Sequence, residues 1–411
     1  MSRPLHFTIR TFTSTALLQS PAAPNHILNK IRALLASEKL HEAIALFYNS
    51  PPQSHSPQAY ATLFRACARH GLLHQGQHLH RHMLTYGCNP PDVVVSNHLV
   101  NLYVKCGDLG VARELFDEMP VRNVVSWTAL VSGYAQQGRE AECLSLFCEM
   151  LMHCRPNEFG FASVVACCGF ESGRQVHALA VKTGWDASVF VGNALISMYG
   201  KRGGCTNEGR NVFEGMGFRN VVSWNAVLAG FQFRKLGTQG IKFFREMLGD
   251  GVGFDGASLV SVLSCLDDCF ADGSIDVALK YCFQLHCLCV KSGFLGKVEV
   301  VSALVKAYSD LGGEVTDCCR IFSETSDCRD IVLWTGIITA IAEREPAQAL
   351  FLFRQMYRED LYPDSYTFSI VLKACAGLVT EMHALAVYSQ VHVTAESGCL
   401  NASHLFSRES R

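Results

Sequence analysis

Three landmarks recur along this 411-residue chain in step with one another. Tryptophans close the phrases VVSW, VVSW and IVLW at Trp127, Trp224 and Trp334, 97 and 110 residues apart. Histidines end HLH, QVH, QLH and EMH at His80, His177, His286 and His383, in steps of 97, 109 and 97. Asn97, Asn193 and Ser302 follow at 96 and 109. Different residue types drifting by the same steps make a super-repeat. Such a period constrains the fold more tightly than length does, because each repeat buries its apolar face only against its neighbours and the chain grows by stacking.

The stretch 93–157 shows the build. It reads VVVSNHLVNLYVKCGDLGVARELFDEMPVRN, then VVSWTALVSGYAQQGREAECLSLFCEMLMHCRPN. Each half is a helix, a glycine turn (Gly107, Gly138) and a second helix. A small polar residue sits four places after each start (Asn97, Thr128), and an asparagine ends each half (Asn123, Asn157). The sequence predicts a degenerate first pair over 29–56, then repeats over 57–92, 93–123, 124–157, 158–188, 189–220, 221–255, 256–297, 298–330 and 331–364. A partial repeat follows over 365–393, and 394–411 is unassigned. Their lengths run 36, 31, 34, then 31, 32, 35, then 42, 33, 34. A tetratricopeptide array would keep 34 throughout. The link between the helices of 158–188 is short, and 256–297 carries the insertion DDCFADGSID. The expected fold class is all-α, a solenoid of helix-turn-helix repeats.

The composition is 49% apolar, enough for continuous helix packing. The longest apolar-like run, Ile331 to Ala342, has 12 residues, short of the ~20 a membrane helix needs. The formal charge is −2, from 35 Lys+Arg against 37 Asp+Glu. Nucleic-acid binders are often basic overall, yet a basic stripe can coexist with an acidic back. The 19 cysteines are odd in number, and no two are spaced as CxxC. They read as small apolar thiols in a reducing compartment. Cys282, Cys287 and Cys289 with His286 have metal-ligating side chains, but His286 stands on the repeat landmark, which accounts for it. No metal or cofactor is expected. A catalytic histidine would not occur four times over, so the landmark histidines read as packing residues and the tryptophans as core. The first acidic residue is Glu38, and Arg3, Arg10, Lys30 and Arg32 precede it among many hydroxyls. Residues 1–28 therefore have the composition of an organelle transit peptide, mitochondrial by its early arginines or else chloroplast, with an ordinary disordered N-terminus as the alternative.

The phrases quoted above, with GRQVHALAVKTG, VFVGNALISMYGKRG and DSYTFSIVLKACAGL, resemble plant pentatricopeptide-repeat proteins of the class that alternates P, L and S units. The resemblance runs from about residue 57 to about 390. L units are 57–92, 158–188, 256–297 and 365 onward; S units are 93–123, 189–220 and 298–330; P units are 124–157, 221–255 and 331–364. The resemblance implies a right-handed superhelix that binds single-stranded RNA, one base per unit. Each base would be read by the residue four places into a unit together with the one that ends it. Asn97 with Asn123, and Asn193 with Asn220, would favour a pyrimidine, C most. Thr128 with Asn157 would favour A, and Asn225 with Asp255 would favour U. Ser302 with Asp330, and Thr335 with Asp364, would favour G. With the apolar-led L units as spacers (Ala61/Asp92, Ala162/Ser188, Val260/Lys297, Ser369), the string is 5′-n-Y-A-n-Y-U-n-G-G-n-3′. Val95, Val191 and Val300 would sandwich the bases. For any one of the polar residues, helix capping or turn formation is the competing role.

Members of this class commonly continue into extension motifs and a deaminase-like domain ending Asp-Tyr-Trp, which needs HxE and a later CxxC to hold zinc. This sequence has neither motif and ends HLFSRESR. The expectation is therefore no catalysis, no C-terminal extension or deaminase-like domain, and recognition of organellar RNA for C-to-U editing. The deaminase, carried by another pentatricopeptide-repeat protein, or other editing factors would be supplied in trans. A helical-repeat scaffold that binds protein and a truncated inactive product are the other readings.

Overall fold

A computed structural model describes residues 24–52, 55–86, 92–202, 206–267, 275–325 and 329–377. The leader as far as residue 23, most of the insertion in 256–297, His383 and the tail from 378 lie outside the described residues. Within them the secondary structure is helical and no strand occurs. The chain divides into two compact bodies, Met1–Cys167 and Cys168–Arg411.

In the first body α1 (Pro24–Ala36) pairs with α2 (Leu40–Tyr48), and α3 (Pro57–His70) with α4 (Leu73–Tyr86). Then α5 (Val93–Lys105) pairs with α6 (Leu109–Glu118) and α7 (Val124–Gln136) with α8 (Glu140–His153), and α9 (Glu158–Cys167) closes the body. The second body opens on α10 (Phe170–Thr183). It continues with α11 (Val189–Arg202) and α12 (Thr206–Gly215), α13 (Val221–Phe233) and α14 (Gly237–Gly249), and α15 (Gly256–Ser264) and α16 (Ile275–Lys291). Next come α17 (Val298–Asp310) and α18 (Val315–Glu324), α19 (Ile331–Ala342) and α20 (Pro346–Arg358), and last α21 (Ser365–Gly377). Each body is an α-solenoid of helix pairs, and α1 begins inside the stretch read as leader. Inside each body the first helix of one repeat packs on the first helix of the next: α3 on α5, α5 on α7, α7 on α9, then α11 through α21 by odd numbers.

Local chemistry starts and stops these helices. Asn123 caps α7, its side-chain oxygen accepting from Val125 N and Ser126 N at 3.0 Å, while Ser126 Oγ accepts from Asn123 N in return. The same box recurs at Asn220 with Ser223 and at Asp255 with Ser258. Such a box satisfies helix N–H groups that have no partner within the helix. The turns after α5 and α7 run through Gly107 (φ +88°) and Gly138 (φ +69°), a left-handed conformation that glycine adopts without strain.

The sequence landmarks are the joints between repeats. Trp127, Trp224 and Trp334 are buried, and each meets a phenylalanine from the preceding helix edge-on. The ring centroids are 4.7 Å apart at Phe116, 4.8 Å at Phe213 and 4.5 Å at Phe322. His80, His177 and His286 each place Nδ1 on a tyrosine hydroxyl of the next helix, Tyr103 and Tyr199 at 2.9 Å and Tyr308 at 3.0 Å. Burial pushes all three histidines below the ordinary imidazole range, against nearby acids. Burial also pushes Cys282 to about 12 and Cys289 to about 11. These thiols stay protonated near neutral pH and act as packing atoms.

Candidate nucleic-acid interface

The layer of first helices carries the polar positions singled out by the sequence. A residue four places into the helix shares a face with those at positions one and eight, because i, i+3 and i+7 lie along one stripe. The residue that ends a repeat is also the N-cap of the next first helix, so capping brings it beside that stripe.

Three of the six expected pairs touch directly. Asn97 Nδ2 donates to Asn123 Oδ1 at 3.2 Å, and Ser126 Oγ donates to Asn97 Oδ1 at 2.5 Å. Thr128 Oγ1 lies 3.2 Å from Asn157 Oδ1, though it is closer to its own helix at Val124 O, 2.7 Å. Asn225 Nδ2 donates to Asp255 Oδ1 at 2.9 Å, and Ser258 Oγ to Asn225 Oδ1 at 2.6 Å. A fourth pair meets through an intermediary. Thr335 and Thr367 hydroxyls are 2.7 Å apart, and Thr367 donates to Asp364 Oδ1 at 2.7 Å.

The other two pairs do not close. Asn193 Oδ1 is buried without a partner, because Ser223 turns to Asn220 instead. Ser302 Oγ is likewise buried alone, and the residue facing it at the third position of α19 is the apolar Leu333. Asp330 still caps that helix at Leu333 N, 2.9 Å.

The capping geometry decides what each end residue shows to a ligand. Asn123, Asn157, Asp255, Asp330 and Asp364 all turn Oδ1 to a helix N–H, and Asn220 does the same to Ser223 N. In the asparagines the remaining group is an NH2, a donor only; in the aspartates it is an oxygen, an acceptor only. One cap geometry therefore offers opposite hydrogen-bonding faces. Burial raises the Asp255 carboxyl, but hydrogen bonds from Ser258, Asn225 and Ala257 outweigh it and hold it below the usual carboxylate range.

A clamp lies behind three of these end residues. Arg122 sits 5.0 Å over Phe116 and donates to Phe116 O at 2.9 Å. Arg219 sits 4.9 Å over Phe213 and donates to Glu214 O at 2.8 Å. Arg329 sits 4.3 Å over Phe322 and donates to Phe322 O at 3.0 Å. The Phe beneath each arginine is the one that meets the landmark tryptophan edge-on, so Asn123, Asn220 and Asp330 lie in sequence between the arginine and the tryptophan that grip it. The sequence shows RN, RN and RD at these places, a signal available in advance and passed over.

The base-sandwiching residues need a correction. Val95, Val191 and Val300 are at most 2% exposed and sit in the core. The exposed apolar residues lie one place earlier: Val94, Val125, Phe159, Phe190, Val222, Val332 and Tyr366, between 52 and 63% exposed. They stand one helical turn before the polar position, on the same stripe. In α17 this place is taken by Glu299, which is charged.

Known proteins resemble this geometry in sequence and in fold. The family model for the PPR repeat matches residues 59–88, 94–124, 125–154 and 222–252. Those four stretches match the pentatricopeptide repeat. It is 48% identical over 387 residues to the pentatricopeptide repeat-containing protein At1g71420 of Arabidopsis thaliana, covering 93% of this chain and 52% of the relative. Two further pentatricopeptide relatives from the same plant are At3g24000, mitochondrial, and At4g18520, chloroplastic. The first is 35% identical over 75% of this chain and 48% of its own length, the second 32% over 80% and 52%. The chain thus spans about half the length of the curated relatives it matches. Among solved structures, the pentatricopeptide repeat protein PPR10 from maize superposes with a TM-score of 0.55 at 18% identity, over 91% of this chain and 54% of that one. At that identity the likeness concerns the fold.

Proposed function

We propose that this chain binds single-stranded RNA in a sequence-specific way inside an organelle. In this reading the P, L and S units alternate as the sequence suggests, and the first-helix layer is the binding surface. The observation that carries it is the end-residue geometry: a fixed cap that turns an amide NH2 outward at Asn123, Asn157 and Asn220, and a carboxylate oxygen at Asp255, Asp330 and Asp364. A switch of donor for acceptor at a constant position is what distinguishing base edges requires. The exposed apolar residues one turn away supply flat contact for base faces, which stack on apolar and aromatic side chains.

The first body reads Y-A, through Asn97/Asn123 and Thr128/Asn157. The second reads Y-U through Asn193/Asn220 and Asn225/Asp255, and G-G through Ser302/Asp330 and Thr335/Asp364. The chain serves as a recognition factor for C-to-U editing, its deaminase or other editing factors supplied by other proteins, and does no chemistry itself. The acid-free N-terminal stretch directs it to the mitochondrion, with the chloroplast as the other destination; relatives carry either word in their names.

The test is a titration of the purified chain at stated salt against a 10-nucleotide RNA of the string given above, beside a permuted RNA. The matched RNA is expected to bind tighter, and Asn225→Thr to move the preference at the U position toward G. A folded protein that binds neither RNA overturns the reading and leaves the protein-binding scaffold in its place.

A further inference from the structure

The first L unit, which the pairing rule leaves unread, opens on the first-helix face of the first body as a cleft of about 340 Å3 between α1, α3 and α5. That is within the ~300–1,000 Å3 range of small-ligand clefts. Its walls include Arg32 from α1, Gln58 and Arg65 from α3, and Asp92, Val94 and His98 around the start of α5. Arg65 stands eight places into its first helix, on the same stripe as the reading positions. The corresponding cations of later helices are tied up: Lys306 by Asp267 at 3.1 Å and Lys373 by Glu343 at 2.7 Å. Arg32 and Arg65 are exposed, and among the described residues neither has an ion pair or hydrogen bond. His98 is held below the ordinary imidazole range by burial and by the Arg65 charge beside it, so the pair of guanidinium groups supplies the positive charge there and Asp92 opposes it. Two free arginines at the mouth of one cleft match the planar, multi-donor recognition that phosphate oxygens invite.

We infer that the cleft between α1, α3 and α5 seats the backbone phosphate on the 5′ side of the pyrimidine read by Asn97 and Asn123, held by Arg32 and Arg65. The inference rests on the RNA-binding reading above and deepens it. The first L unit adds affinity without adding base discrimination, and it marks where the strand enters.

The experiment is a thermodynamic cycle with the full chain and its Arg32→Gln/Arg65→Gln variant, with folding checked by circular dichroism. Each protein is titrated over a range of salt with two RNAs, one beginning at that pyrimidine and one extended by a single 5′ nucleotide, in four versions carrying A, C, G or U. The extension is expected to tighten wild-type binding roughly tenfold and to steepen the log K–log salt slope by about 0.7 for the added phosphate contact. The four bases should be equivalent, and the variant should gain nothing from the extension. Equal gains in wild type and variant, no gain in the wild type, or a strong preference among the four bases would overturn the seat while leaving RNA binding intact. Failure of the wild type to bind any of these RNAs would remove the RNA reading itself, and the seat with it.

Discussion

Arg329 shows how a single side chain ties one repeat to the next. Its guanidinium stacks on Phe322, approaches Trp334 at 5.7 Å, and donates to two carbonyls at the end of α18. The Arg329→Ala protein should lose about 2 kcal/mol of stability, seen as a lower urea midpoint. Lysine should recover less than half of it, because an ammonium has neither the plane nor the fork. Asp255 makes a different prediction. Its folded-state pKa is lowered, so its stabilising contribution is fully present above the unfolded carboxyl value of about 3.9 and is lost as pH falls through the folded one. The difference in unfolding midpoint between wild type and Asp255→Asn should be constant from pH 7 to 5 and shrink below about pH 4.

At the scale of helices, the joints should respond to pH and to single carbons. His80, His177 and His286 have lowered pKa values through burial, which the carboxylates of Glu118, of Asp186 and Glu208, and of Glu324 and Asp317 only partly offset; Arg320 adds to the lowering at His286. A base with a lowered folded pKa contributes stability that is present above the unfolded value of about 6.5 and is lost as pH falls below it. The urea midpoint should therefore fall between pH 7 and 5, and less so in the triple His→Gln variant. Where α11 crosses α13, Gly200 and Gly230 meet backbone to backbone: a Cβ on Gly200 would lie 2.9 Å from the Gly230 Cα. Gly200→Ala should cost about 1–3 kcal/mol despite the better helix propensity of alanine. The turn before α14 uses Lys235 at φ +57°, where the equivalent turn before α8 has Gly138 at +69°. Lys235→Gly should raise stability by about 0.5–1 kcal/mol, the relief of left-handed strain exceeding the added chain entropy.

Over the whole chain, the helix-pair architecture was legible because repeated landmarks report packing that every repeat must renew. Trp127, Trp224 and Trp334 pointed to the core and the histidines to packing; that His80, His177 and His286 bond a tyrosine of the next helix came from the structure. The apolar column was misplaced by one residue, since the run Val93–Val94–Val95 offers three valines and no polar marker to say which faces water. The polar positions were visible, but not which pairs close. The residue three places into the next helix does not decide it: Ser126 and Ser258 bridge to the polar residue, while Ser223 bonds Asn220 alone, and Thr128 meets Asn157 with Gly160 at that place. In the proposed function, the outward atom of the cap selects the base. Asp255→Asn tests it most directly, because the cap oxygen stays and only the outward oxygen becomes an NH2. The measurement is the full chain's affinity for four RNAs differing at the position read by Asn225 and Asp255. Wild type is expected to prefer U there and Asp255→Asn to prefer C, with other positions unchanged. An unaltered preference, or an equal loss of affinity for all four RNAs, would contradict it.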